Sequence, residues 1–250
     1  MGANHTGGTH GRRGLATDTD GTTGRADAWS LIVPLKPLAV AKSRLASFAG
    51  DALRPQLALA FAQDTVAAAL ACPAVRDVAV VTDDGRAAAA LASLGARIVP
   101  EGSGGGLNAA LAHGARRIRL RRPQAPVAAL NADLPALRPE ELNRVLATAS
   151  LFRRAFLRDA TGIGTTLLTA SPGEELRPAF GGPSRDRHLT SGAAEILLED
   201  VDSVRQDVDT GDDLRAAFAL GLGPHTTERC AAVQRCGRKG LPGSSRLPQR

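Results

Sequence analysis

The sequence predicts a single α/β domain of the doubly wound kind, and three observations carry that prediction. Short apolar runs alternate with helical segments of ten or more residues, which implies parallel pairing and right-handed crossovers. Several of these runs break into polar residues at their ends, and open α/β sheets bind ligands at the carboxyl ends of their strands. Hydrophobic residues form 43% of the 250, yet aromatics form only 3% and Tyr is absent, so the core must be Ala, Val and Leu. That length suffices for one domain with a full core, here drawn as residues 29–226.

Taken in order, residues 1–28 are Gly, Thr, Asp and His with almost no apolar content, and are expected to be disordered. Residues 29–35 (WSLIVPL) read as a first strand running into Lys36–Leu45, a loop entering a helix. A long Ala/Leu helix follows over 55–70, then a strand over 77–82 (DVAVVT) ending in Asp83-Asp84-Gly85. A short helix (86–94) leads to a strand (96–100), and the glycine loop 101–106 (EGSGGG) feeds a helix through Ile118. The short apolar run 127–130 is a buried strand, bounded by Pro126 and broken by Asn131-Ala132-Asp133-Leu134-Pro135. A helix over 138–149, strands over 154–158 and 165–169, a helix over 192–198, a last strand over 204–208 and a helix over 212–220 complete the domain. Residues 227–250, rich in Arg, Gly, Pro and Ser, read as a basic disordered tail.

The net charge of +6 is not spread over a groove. Residues 227–250 carry +5 and residues 1–28 are neutral, which leaves +1 for the predicted domain. With few aromatics for base stacking, a nucleic-acid role would rest on the tail alone, and none is expected. Cys72, Cys230 and Cys236 offer neither a pairing framework nor zinc spacing, so a reduced, cytoplasmic compartment is expected. No apolar stretch approaches 18 residues, so no membrane span is expected. Arg12-Arg13 lacks the apolar segment that a twin-arginine export signal needs.

Three polar sites fall at predicted strand ends: Lys36 to Arg44, Asn131/Asp133 and Asp207/Asp209. On one edge of a parallel sheet they can converge, two carboxylates holding one Mg²⁺ whose shell is completed by phosphates and water. Lys36, Lys42 and Arg44 can hold phosphates, and the glycine loop lets backbone approach a nucleotide closely. Each site also has a structural reading. An Asp after a strand, such as Asp133, is more often a turn former or helix cap. Lys42 and Arg44 serve as a solvated helix face. Asp207 and Asp209 serve as caps of the last helix. Arg116, Arg117, Arg119, Arg121 and Arg122 read as the exposed end of a helix, and His113 as structural.

The segments PLKPLAVAKSRL, VVTDD, GLNAAL, NADLPAL, GIGTT, FGGPS…H and DVDTGDDL, in order over residues 30–222, resemble the guanylyltransferases of deazaflavin-coenzyme biosynthesis. Those enzymes act on phosphoenolpyruvate or 2-phospho-L-lactate. The resemblance implies a Rossmann-like nucleotidyltransferase fold, a mostly parallel sheet with helices on both faces, GTP as donor and Mg²⁺ as metal. By position it implies metal binding at Asp133 and at Asp207 or Asp209, and acceptor contacts at Thr165, Gly181 and Ser184. It places Lys36, Lys42 and Arg44 along the triphosphate and Asn108 near the nucleotide, with Lys36, Lys42 and Asp133 as the catalytic set. The family's segment runs Phe-Gly-Pro-x-Ser, whereas here Gly182 precedes Pro183, a departure in that loop.

Chemistry agrees with that assignment. An acceptor phosphate with a second pKa of about 6 is already ionised at neutral pH and needs no protein base to attack the α-phosphorus of GTP. Catalysis is then positioning plus charge neutralisation, which fits a chain without a Ser-His-Asp arrangement. Phosphoenolpyruvate guanylyltransfer is the leading expectation, and 2-phospho-L-lactate guanylyltransfer is its close rival. A molybdenum-cofactor-type nucleotidyltransferase would carry a glycine-rich first loop where Pro34-Leu35-Lys36 stands. A nucleotide-binding module without turnover is disfavoured by the intact Lys42 and carboxylates. Hand-over of a labile product to a downstream transferase follows from the resemblance alone.

Overall fold

In the computed structural model, residues 28–42, 45, 52–102 and 105–239 are described. Arg44, the expected disordered segment before residue 28, two residues of the glycine loop (103–104) and the tail beyond 239 lie outside the described residues. Seven strands form one sheet in the order β3-β2-β1-β4-β6-β5-β7. They are β1 (Trp29–Pro34), β2 (Val75–Val81), β3 (Arg97–Val99), β4 (Val127–Leu130), β5 (Arg154–Arg158), β6 (Thr165–Ala170) and β7 (Ala194–Glu195). β1 pairs in parallel with β2 and with β4, β2 with β3, and β5 with β7. β6 runs antiparallel to both β4 and β5. The sheet is therefore mostly parallel, as expected, with one reversed strand on the β5 side.

The helices are α1 (Arg54–Ala71), α2 (Gly85–Ala92), α3 (Leu107–Arg119), α4 (Pro139–Ala149), α5 (Ser184–Thr190), α6 (Asp202–Arg205), α7 (Gly211–Leu220) and α8 (Pro224–Lys239). Their ends are written locally. α1 opens with Pro55 in its first turn, and it stops at Cys72, whose extended backbone is what the following Pro73 demands. α2 is capped by Asp84, which accepts from the Ala87 N–H at 3.0 Å. Thr210 and Asp213 form a capping box on α7.

Alternation along the strands sorts side chains to the two faces. Leu31 and Val33 of β1 face α1, α2 and α4, while Ile32 joins Ala79, Val81 and Ala129 under α3. Helices thus cover both faces. α3 lies close to the sheet: a Cβ on Gly114 would stand 2.6 Å from Ile32 Cγ2. β4, with both faces covered, is buried throughout, which explains its unbroken apolar sequence. A third cluster joins α1 to α7 through Leu57, Phe61, Val208, Leu214 and Ala217, with Cys230 of α8 packed beside it.

Three expectations are corrected. Residues 192–198 are not a helix: α5 ends earlier, Gly192 takes φ +81°, and Ala194-Glu195 pairs with β5. The pairing edge of β5 outweighs the helix propensity of that Ala/Glu/Leu run. Residues 204–208 are not a strand: α6 covers Asp202–Arg205, and the chain then leaves in irregular backbone. The boundary at residue 226 falls inside α8, so the segment expected as a disordered tail is helical through Lys239. None of the helices among the described residues is long and apolar enough to cross a membrane.

Candidate active site

The strand order reverses at β1. From β1 the chain steps outward to β2 and β3, and α3 then carries it back to β4 on the other side. The carboxyl ends of β1 and β4 flank the crevice where such sheets hold ligands. Lys36 lies exposed just beyond β1, and Asp133 three residues beyond β4. Lys42, in the turn that follows β1, takes φ +56° and reaches Asp133 Oδ2 directly and Asp209 Oδ1 at 2.6 Å. Asp207 is tied to the group by Asn131, whose Nδ2 donates to Oδ2 at 3.4 Å.

Asp207 and Asp209 come to the site without a strand to bring them. The Val208 N–H donates to the Asp133 carbonyl at 3.0 Å, so one main-chain bond sets the two acidic segments side by side. Val208 itself is buried in the cluster with α1 and α7. Burial first, then the Asp133 and Asp209 charges, push the Asp207 carboxyl up to about 8. Burial pulls the Lys42 ammonium down, but Asp133 and Asp209 outweigh it and hold it above its ordinary value.

A cation fits this donor set. Asp133 Oδ1 is buried and has no hydrogen-bond partner among the described residues. Added positive charge beside Asp207 would favour its ionised form, which burial and the neighbouring carboxylates disfavour. Among the described residues no three His, Cys, Asp or Glu side chains are arranged to cage a metal, and Lys42 bridges Asp133 and Asp209. Such a set suits an ion that takes one or two carboxylates and otherwise binds water and phosphate.

Side chains of α1 and of the turn between β2 and α2 fix this geometry from behind. Thr65 of α1 accepts from the Leu134 N–H at 3.0 Å and donates toward the Phe61 and Ala132 carbonyls at 2.8 and 3.2 Å. It therefore holds the backbone on both sides of Asp133. Asp84 accepts from the Leu38 N–H at 2.9 Å besides capping α2, and these two N–H bonds hold its carboxyl below the usual carboxylate range. Asp83 accepts from the Glu101 N–H at 2.9 Å, anchoring the start of the glycine loop. The sequence reading noted Asp83 and Asp84 only as a strand end and passed over Thr65. An acidic pair between a strand and a helix was the available signal for the former. A mid-helix Thr carries no signal of its own.

The second group of predicted residues lies around β6 and α5. Thr165 opens β6, Ser184 opens α5, and both are buried. Gly181 and Gly182 have φ of +93° and +49°, so the additional glycine occupies a left-handed position that a side chain would strain. Asn108, expected near the nucleotide, uses its amide on the backbone of Phe180: Oδ1 accepts from the N–H at 2.8 Å and Nδ2 donates to the carbonyl at 3.1 Å. α3 thereby ties down the loop that carries Gly181. His188, which the sequence placed in a motif without a role, is fully buried and bonded to both Thr165 and Ala179.

Comparison with known proteins gives this geometry a context. Residues 29–234 match the family model described as Guanylyl transferase CofC like. A phosphoenolpyruvate guanylyltransferase of Streptomyces coelicolor is 69% identical over 205 residues, covering 82% of this chain and 97% of that protein. A protein of the same name from Thermomonospora curvata is 58% identical, covering 82% of this chain and 90% of that one. Among solved structures, a nucleotidyl transferase from Methanothermobacter thermautotroptrophicus shares the fold with TM-score 0.55 at 19% identity, over 77% of this chain and 97% of that one. The match of the family model across the whole sheet, both carboxylate segments and α7 leaves one conclusion: the chain belongs to the CofC-like guanylyl transferase family of nucleotidyltransferases.

Proposed function

We propose that this protein transfers the guanylyl group of GTP to phosphoenolpyruvate, giving enolpyruvyl-diphospho-5'-guanosine and diphosphate, as a step of deazaflavin coenzyme F-420 biosynthesis. One observation carries the reading. Lys42, Asp133, Asp207 and Asp209 meet at the reversal of strand order, where this kind of sheet presents a nucleotide's phosphates. The choice of acceptor is supported by the names of the relatives in Streptomyces and Thermomonospora. The 2-phospho-L-lactate alternative differs by planarity at one carbon and is carried as the second arm of the test.

In this reading an oxygen of the acceptor phosphate attacks the α-phosphorus of GTP, the bond to the bridging oxygen breaks, and diphosphate leaves. Asp133, with Asp207 or Asp209, would hold a divalent cation, Mg²⁺, that offsets the charge of two meeting anions. Lys42 then exchanges its carboxylate contacts for phosphate oxygens. Lys36 and Arg44 extend the cationic path along the triphosphate, and Asn108 serves the nucleotide side through the loop that it ties. Thr165, Gly181 and Ser184 receive the acceptor. The reaction belongs to the cytoplasm, with neither nucleic acid nor membrane as partner, and its labile product is passed to a downstream transferase.

The experiment is diphosphate release from GTP and Mg²⁺ with phosphoenolpyruvate or 2-phospho-L-lactate supplied in parallel. The expected result is turnover with phosphoenolpyruvate, reduced by roughly a hundredfold or more in Asp133→Ala, the scale of a lost charge-stabilising group. Faster turnover with phospholactate would rename the acceptor. Inactivity with both, while GTP still binds, would overturn the reading.

A further inference from the structure

His188 belongs to neither the carboxylate group nor the bulk core, and its hydrogen bonds determine its chemistry. The ring is fully buried between Phe156 and Phe180, with ring centroids 5.7 and 5.2 Å away. The Ala179 N–H donates to Nε2 at 3.0 Å. A backbone N–H can only donate, so Nε2 carries no proton and the neutral ring keeps its hydrogen on Nδ1. Nδ1 lies 3.0 Å from Thr165 Oγ1. The Thr165 oxygen must then accept, and its own hydrogen is left to point elsewhere. Among the described residues no other group takes that hydrogen. Burial, together with the Arg154 and Arg187 charges, pushes the imidazole down to about 4, so the ring stays neutral through the physiological range.

We infer that His188 is a positioning residue of the acceptor pocket, which fixes the loop before Gly181 through Ala179 and turns the Thr165 hydroxyl so that it donates to an anionic oxygen of the acceptor. The inference rests on the acceptor reading given above and deepens it. A histidine that was only a satisfied core residue would also need a partner for each ring nitrogen, but those partners could lie anywhere in the core. This one joins the two elements, β6 and the Phe180-Gly181 loop, that converge on the acceptor, and does so with one acceptor and one donor atom. Without it, Thr165 is free to return its hydrogen to the protein, and the loop keeps the Asn108 contacts but loses the one at Ala179.

The test compares His188→Phe, which keeps an aromatic ring between Phe156 and Phe180, with His188→Gln, whose amide offers one acceptor and one donor. In His188→Phe the KM for phosphoenolpyruvate should rise roughly ten- to hundredfold, the factor set by a hydrogen bond to a charged group, while KM for GTP stays within about twofold. His188→Gln should recover most of the loss. Thr165→Val added to His188→Phe should cost much less than Thr165→Val alone, because both remove the same contact. In the wild type, nitrogen NMR of labelled histidine should show the Nδ1–H form at neutral pH, with His188→Gln assigning the signal. Equal changes in both KM values, additive variants, or an Nε2–H ring would overturn the inference. If His188→Phe does not fold, His188→Gln and the NMR signal decide it. A wild type inactive with both acceptors overturns the reaction itself, whereas an active wild type with an insensitive His188→Phe overturns only the role of His188.

Discussion

The buried His188 and the half-buried Asp207 are displaced from their ordinary ionisation in opposite directions, and each leaves a mark on stability. His188, pushed down to about 4 from 6.5, stays neutral where an unfolded imidazole would already bind a proton. Its contribution is present above pH 6.5 and is lost as pH falls toward 4. Asp207, pushed up to about 8 from 3.8, keeps a proton that the unfolded chain has released. Its contribution is complete below pH 3.8 and is lost as pH rises through 8. Replacing His188 by Gln removes the first effect and leaves the second. Thermal unfolding midpoints of the metal-free proteins should therefore fall less between pH 7 and pH 5 in His188→Gln than in the wild type. Parallel slopes would show that His188 takes up its proton without cost. Lys42, Asp133 and Asp209 were readable as polar breaks beside apolar runs. Thr65 and His188 were not, because what gives them a role is the backbone they face, and only the folded chain brings that backbone to them.

At the scale of elements, α8 depends on a carboxylate borrowed from α1. Asp64, buried in the middle of α1, accepts from the His225 and Thr226 N–H groups at 3.0 and 2.8 Å and so caps α8 at its first turn. Gly223 is compelled by the same contact, since a Cβ there would stand 2.4 Å from the Asp64 carboxyl carbon. Asp64→Ala should cost about 1–2 kcal/mol in urea unfolding, and hydrogen exchange over residues 225–232 should accelerate more than in the sheet. Uniform acceleration would mean that α8 does not open separately. Composition alone argued for disorder after residue 226, and it failed there because the cap lies more than 150 positions upstream. The same limit explains 192–198, where the edge of β5 decided the conformation, and 204–208, where Val204 and Val208 bracket a polar run that meets no strand to pair with. The helices with local caps and the strands with both faces covered were read correctly, because their signals lie within their own few residues.

For the molecule as a whole, β1 and β4 form the rigid centre on which both halves of the site are mounted. β4 lies between β1 and β6 and is buried throughout, whereas β3 and β7 are short edges of three and two residues. Native-state hydrogen exchange should find the paired amides of β4 opening only with global unfolding, and those of β3 and β7 through smaller openings. Exchange from β4 at edge-like rates would contradict a site built on a rigid centre. The doubly wound class was legible from the alternation of strands and helices. The reversal of β6 was not, since nothing in a buried run such as TTLLTA records the direction of its neighbours.

The ion pairs at the crevice span the chain unevenly. Lys42 lies 91 positions from Asp133 and 167 from Asp209. During synthesis the first pair is available once β4 has left the ribosome, but the second waits for almost the entire domain. A growing chain that stops short of Asp209 can therefore form the β1–β4 centre yet presents an incomplete set of carboxylates. The last acidic segment, held by the Val208 bond to Asp133, makes the site a report that the whole sheet has been made.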